Sequence, residues 1–110
     1  MPKENHHRRT GEIVRALFGI VMGQPGLKGS VAMSQLMEQM NLSEPEVRRA
    51  SWGTTGATKA GWFRKQPHGR WTVTEEGRRA YDEFTDPEGF HRELDRLYHE
   101  WTQTHGKSRK

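Results

Sequence analysis

From residue 12 onward the chain alternates short apolar stripes with polar breaks. Ile13, Val14, Leu17, Phe18 and Val21 recur at the spacing that places them on one face of an α-helix, with Thr10 as its expected N-cap. Gln24-Pro25-Gly26 ends that helix, and a loop is expected to Ser30. A second helix is predicted over Ser34 to Met40, with Leu36, Met37 and Met40 facing inward. Ser43-x-x-Glu46 is a capping box and opens a third helix running to about Ala60, where Gly61 is the stop. The period then changes. Trp62-Phe63-Arg64-Lys65 and Arg70-Trp71-Thr72-Val73 are aromatic and β-branched runs separated by Gln66-Pro67-His68-Gly69, a hairpin signal. Thr74 caps a helix with Glu75 and Glu76 in its first turn, and Asp86-Pro87 opens a last one carrying Phe90, Leu94, Leu97, Tyr98 and Trp101 on one face.

Three helices followed by a two-stranded hairpin is the order of a winged helix-turn-helix, a mainly helical α+β fold, here with a C-terminal helical extension. The expected division is a disordered basic arm over 1–9, a winged-helix domain over 10–85, an amphipathic helix over 86–105 and a basic tail over 106–110. At 110 residues there is room for one core. A mean hydropathy of -1.05 makes that core small, while four Trp, four Phe and two Tyr are more than a disordered chain carries. No cysteine is present, which removes disulfides, thiolate catalysis and Cys-based zinc sites together. The apolar run from Ala16 to Met22 is too short to span a membrane, and with Glu12 and Arg15 before it makes a poor signal core. A cytoplasmic protein without a membrane partner is expected.

Charge changes the picture more than composition does. The formal net charge is +4, but the two tails hold more positive charge than that, through Lys3, Arg8, Arg9, Lys107, Arg109 and Lys110. Residues 12–46 and 74–105 are net acidic. Between them, residues 47–73 carry Arg48, Arg49, Lys59, Arg64, Lys65 and Arg70 and no acid. A one-signed block between acidic flanks is an electrostatic footprint for an anionic partner. On a regular helix over 47–60, the small residues Ala50, Gly53, Ala57 and Ala60 fall in one sector and suit packing. The opposite sector holds Arg48, Ser51, Thr55 and Lys59, with Trp52 and Thr58 at its edges, a set that can donate to phosphates and read base edges. Trp52 is assigned to packing before stacking, because Trp is mostly buried. Trp62 and Trp71 are expected to anchor the hairpin, whose Arg64, Lys65, His68 and Arg70 suit phosphate contact. The candidate double-stranded DNA-binding residues are therefore Arg48, Arg49, Ser51, Trp52, Thr55, Thr58, Lys59, Arg64, Lys65, His68 and Arg70.

Two stretches carry a family resemblance: Arg49-Ala50-Ser51-Trp52 through Lys59-Ala60-Gly61-Trp62-Phe63, and Gly69-Arg70-Trp71-Thr72-Val73-Thr74-Glu75-Glu76-Gly77-Arg78. They resemble the N-terminal winged-helix domain of Mrr-type restriction proteins, which pairs an Ala-Gly-apolar-apolar helix end with a Gly-x-Trp-x-x-Thr-x-x-Gly wing-to-helix signature. The resemblance covers roughly residues 10–85. It implies DNA binding that delivers a nuclease or a base-sensing domain to its target, with methylated bases among the marks such modules serve. The nuclease half has no counterpart here, and Gly53 and Gly56 depart from the pattern. Each costs ~1 kcal/mol of helix propensity, so a bend in the third helix is expected there.

Other chemistry has weaker support. His91 and His99 lie two turns apart with Asp95 between them, too far for a compact metal-ligating pair, and His6 and His7 fall in the arm. No Ser or Thr has a base and an orienting acid nearby in sequence, so no catalytic site, metal or cofactor is expected. The last helix supports a different class of function. Its stripe is expected to fold back on the first helix; paired instead with a second chain, through residues 87–105, it makes a homodimer, a protein-interaction adaptor or a small transcriptional regulator.

Overall fold

The computed structural model describes residues 3–106, with side chains from 7 to 104. It is mainly helical with a small antiparallel sheet. In chain order the elements are α1 (Lys3–Gly23), β1 (Leu27–Lys28), α2 (Gly29–Met40), α3 (Glu44–Ala60), β2 (Phe63–Gln66), a one-turn 3-10 segment (Pro67–Gly69), β3 (Arg70–Val73), α4 (Glu75–Glu83) and α5 (Pro87–Gly106). The sheet order is β1-β3-β2.

Helix α1 is the central element. Ile13, Val14, Leu17, Phe18 and Val21 are all fully buried, as the stripe predicts. Phe18 gathers an aromatic cluster, with ring centroids 5.3 Å from Phe90, 5.5 Å from Phe63 and 6.5 Å from Trp62. Helix α5 runs antiparallel along α1 and packs against α3 on its other side. Its entry is set by Gly11, where any side chain would strike the Pro87 backbone. Phe90 and Leu94 are buried in the common core, so residues 86–105 are part of the domain rather than an extension of it.

The termini of α3 follow the predicted chemistry. The Ser43 hydroxyl accepts from the Glu46 amide while the Glu46 carboxylate accepts from the Ser43 amide at 3.1 Å. At the other end Gly61 sits at φ 88°, and the Trp62 amide closes back onto the Ala57 carbonyl at 2.9 Å. The hairpin pairs Phe63 with Val73, Arg64 with Thr72, Lys65 with Trp71 and Gln66 with Arg70. Thr74 then caps α4, accepting from the Gly77 amide at 3.1 Å and donating to the Gly61 carbonyl at 2.6 Å.

Several expectations are corrected, among them that for Met37, which is expected to face inward and is exposed. The basic arm over 1–9 is not disordered from Lys3 onward: α1 begins there, and Thr10 lies inside the helix instead of capping it. Arg8 and Arg9 pair with Glu12 one turn on, which supports the added turns. Residues 1–2 of the arm and 107–110 of the tail lie outside the described residues. Helix α2 starts at Gly29, five residues early, because Gly29 lies under the Trp71 indole where no other residue fits. The hairpin gains a third strand: Gly26, at φ 80°, turns the chain so that Leu27 and Lys28 pair with Trp71 and Arg70. Finally, α3 is continuous through Gly53 and Gly56. Gly53 is packed against Val14 of α1, which offsets its low propensity, while Gly56 faces Tyr98 of α5 across open space and is carried by the rest of the helix.

Candidate nucleic-acid interface

Each predicted site residue can now be placed. Ala50, Thr54 and Ala57 form the buried seam of α3. Thr54 was absent from the predicted seam because its type is polar; its hydroxyl is satisfied internally, donating to the Ser51 carbonyl at 2.7 Å. Arg48, Ser51 and Thr58 are exposed on the uncovered side, with Thr55 half-buried beside them. The Thr55 and Thr58 hydroxyls donate to the carbonyls of Ser51 and Thr54, so toward a partner each presents an acceptor. Lys59 lies toward α5 with its ammonium 4.2 Å from the Trp101 ring centroid. Trp52 overturns its expected packing role: it is 70% exposed at the border between the open face of α3 and α5. Arg49 is on the other side of that border, turned into a cleft.

The register divides the hairpin's cations. Lys65 shares the inner face with Phe63, Trp71 and Val73, and its ammonium lies 5.4 Å from the Trp71 ring centroid. Partial desolvation there holds its pKa below the usual lysine value. Arg64 and Arg70 are on the outer face, and Lys28 on β1 is directly opposite Arg70. Like charges in that position repel; the Arg70 guanidinium is anchored by donating to the Gly26 carbonyl at 2.9 Å. His68, in the exposed turn, adopts φ 67°, a left-handed conformation that few residues other than glycine take and that histidine takes more readily than most. Lys28 was missed because a two-residue strand has no periodicity to detect.

What unites the cations of α3 and the sheet is the absence of an acidic partner among the described residues. None of Lys28, Arg48, Arg49, Lys59, Arg64, Lys65 or Arg70 has a carboxylate within 4.0 Å among the described residues. On α1 and α5 the arginines with described side chains are engaged. Arg9 bridges α1 to Glu46 at 2.7 Å, and this bond, with help from the Ser43 amide, lowers the Glu46 pKa to about 2. Arg92 pairs with Glu88, and Arg96 with Glu93 and Glu100. Arg15 donates to the Tyr81 and Phe84 carbonyls at 2.8 and 2.7 Å, stacked on the Tyr81 ring, and so caps the C-terminus of α4.

A cleft of about 250 Å³ opens beside Trp52, between α1, α3 and α5. Thr10, Gly53, Gly56, Leu94 and Tyr98 line it, with Trp52, Arg49, His91 and Asp95. At its end the Nδ1 atoms of His7 and His91 are 2.8 Å apart, one donating and the other accepting. The Thr10 hydroxyl is buried and has no hydrogen-bond partner, a condition that costs about 1–3 kcal/mol. Among the described residues, no three His, Asp or Glu side chains are grouped to hold a metal ion, and no helix is long and apolar enough to cross a membrane. Set against protein-family models, curated proteins and solved structures, the chain matches none.

Proposed function

We propose that this chain is a winged helix-turn-helix module that binds double-stranded DNA, with α3 in the major groove and the β2–β3 hairpin as a wing along the sugar-phosphate backbone. The element order of helix, short strand, two helices and hairpin supports the reading. The single observation that carries it is the set of cations on α3 and the sheet that have no acidic partner among the described residues, in a protein whose α1 and α5 commit their arginines. A phosphate lattice supplies the missing counter-charge. On α3, Ser51 and Thr55 are short enough to approach base edges. In keeping with the Mrr-type resemblance, such a module serves to bring a nuclease or base-sensing partner to DNA, and its preference among unmodified, adenine-methylated and cytosine-methylated duplexes identifies the mark. The alternative adaptor reading loses its free stripe, since Phe90 and Leu94 are consumed by the chain's own core.

Titration of a short duplex at several salt concentrations tests the proposal. Arg48→Ala and Arg64→Ala are each expected to flatten log affinity against log salt by ~0.9, while Arg92→Ala and Arg96→Ala leave the slope unchanged. Thr55→Ala leaves the slope alone and narrows the gap between best and worst sites by ~1–3 kcal/mol. Absence of duplex binding at low salt, or equal slope losses for paired and unpaired arginines, overturns it.

A further inference from the structure

Six threonines with described side chains lie within helices. Five of them, Thr54, Thr55, Thr58, Thr102 and Thr104, donate their hydroxyl to the carbonyl three or four residues back. Thr10 alone does not, although it is 4% exposed and has the greatest need. Thr10 contributes to the wall of the cleft between α1, α3 and α5, with its hydroxyl closed off from solvent, and two glycines there leave the α3 backbone bare. Gly53 is accounted for by Val14, which occupies the position of its missing side chain. Gly56 is not: a Cβ there would meet only the edge of Tyr98 at 4.0 Å, so the space above it is open. Around that space stand an exposed indole, a phenol, the Leu94 side chain, and an arginine without an ion-pair partner.

We propose that this cleft is a binding site for one planar heteroaromatic ring carrying an anionic group, a nucleoside monophosphate being the class that fits. Its volume, about 250 Å³, falls just under the ~300–1,000 Å³ of pockets for drug-sized ligands, which limits the enclosed part of the occupant to its base. Trp52 and Tyr98 supply aromatic surface for the ring. The Asp95 carboxylate, in the cleft wall, accepts from its edge. Arg49 takes the anionic group in the charge-assisted fork suited to phosphate. The ring can arrive as a free mononucleotide or as a base swung out of a duplex seated on α3, since Trp52 stands at the border between that face and the cleft. The cleft and its ligand do not depend on the duplex-binding proposal.

The test uses the full chain and two probes. In the first arm, AMP, GMP, CMP and UMP are titrated separately while backbone amide and indole N–H resonances are followed. At least one is expected to give saturable shifts at the Trp52 indole, Gly53, Gly56 and Tyr98. Gly56→Met fills the open space and should weaken that binding tenfold or more without lowering Tm. Thr10→Val removes a buried hydroxyl that has no hydrogen-bond partner, so it should hold or raise Tm and leave mononucleotide binding unchanged. No saturable shift for any of the four at millimolar concentration, or unaltered binding by Gly56→Met, overturns the site. In the second arm a duplex containing 2-aminopurine is added. Enhanced probe fluorescence that Gly56→Met abolishes identifies a swung-out base as the source; mononucleotide binding without it identifies a free ligand. If the wild-type chain binds a mononucleotide but no duplex, the duplex proposal falls and the cleft stands.

Discussion

Helices α1 and α5 and the α3–sheet face are built from the same residue types, yet they use their cations oppositely. On α1 and α5 each arginine with a described side chain is committed: Arg8 and Arg9 to acids, Arg15 to the carbonyl end of α4, Arg92 and Arg96 to glutamates one turn away. On α3 and the sheet the cations are left without carboxylates and rest on rings, on a carbonyl, or in solvent. Exposed ion pairs are worth little, a median near 0–1 kcal/mol, so the pairing on α5 contributes small stability. Its larger consequence is to neutralise one surface and leave another charged. Arg78 and Arg79 of α4 show the intermediate case: they have no bridge, but Glu75, Glu76, Asp82 and Glu83 lie on the same short helix and weaken their field.

If the two regions divide into scaffold and contact surface, truncation should separate them sharply. Phe90 is fully buried and touches Phe18, Trp62 and Tyr81. Phe90→Ala is expected to cost ~3–5 kcal/mol in urea unfolding. Trp52→Ala, at a residue 70% exposed, should change stability by no more than ~0.5 kcal/mol while impairing ligand contact. A large loss for Trp52→Ala would return that indole to a packing role and break the division.

The two glycines of α3 sharpen it at the scale of a single methyl group. A Cβ at Gly53 would sit 2.6 Å from the Val14 Cγ2 atom, in a fully buried side chain that has nowhere to go. Gly53→Ala should therefore destabilise by ~1–3 kcal/mol through overpacking. Gly56→Ala meets open space and should stabilise by ~0.5–1 kcal/mol, the helix propensity recovered. Thermal unfolding of the two variants under one condition decides this; the same sign for both would contradict the geometry.

These contrasts explain what the sequence could and could not convey. Local chemistry was legible: the capping box at Ser43, the stop at Gly61, the turn before Gly69 and the cap at Thr74 each lie within a few residues and have one physical solution. The residues that carry the family resemblance belong to this class. Gly69 takes φ 72°, Trp71 covers Gly29, Thr74 caps α4, and Gly77 lets α4 rest on the Trp62 carbonyl. That motif therefore argues for fold and leaves function to the charges around it. Non-local placement was not legible. Whether Trp52 is covered depends on where α5 lies, and whether Gly56 opens onto space depends on Tyr98, forty-two positions later. The cleft draws on three helices, and no spacing within any one of them announces it.

The smallest expected effect concerns an ion pair that ties the two regions together. Arg9 on α1 donates to Glu46 on the first turn of α3 at 2.7 Å, and Glu46 also belongs to the capping box. Its pKa falls from 4.5 to about 2, chiefly through the Arg9 bond. A carboxylate with a lowered folded-state pKa contributes stability that is present in full above its unfolded value and lost as pH falls through the folded one. Glu46→Gln should therefore be less stable than wild type above about pH 4.5, with the gap closing toward pH 2. The guanidinium is more than a third exposed, so solvent screening holds the gap to ~1 kcal/mol or less. Arg9→Met removes the other partner and leaves the cap in place, as glutamine does by accepting from the Ser43 amide, so that variant should lose about as much as Glu46→Gln and show the same closing of the gap. Tm measured from pH 2 to 7 on the three proteins reads this directly. A gap that stays constant with pH would mean that Glu46 acts through the cap's geometry alone, and that α1 and α3 are held together by packing without help from charge.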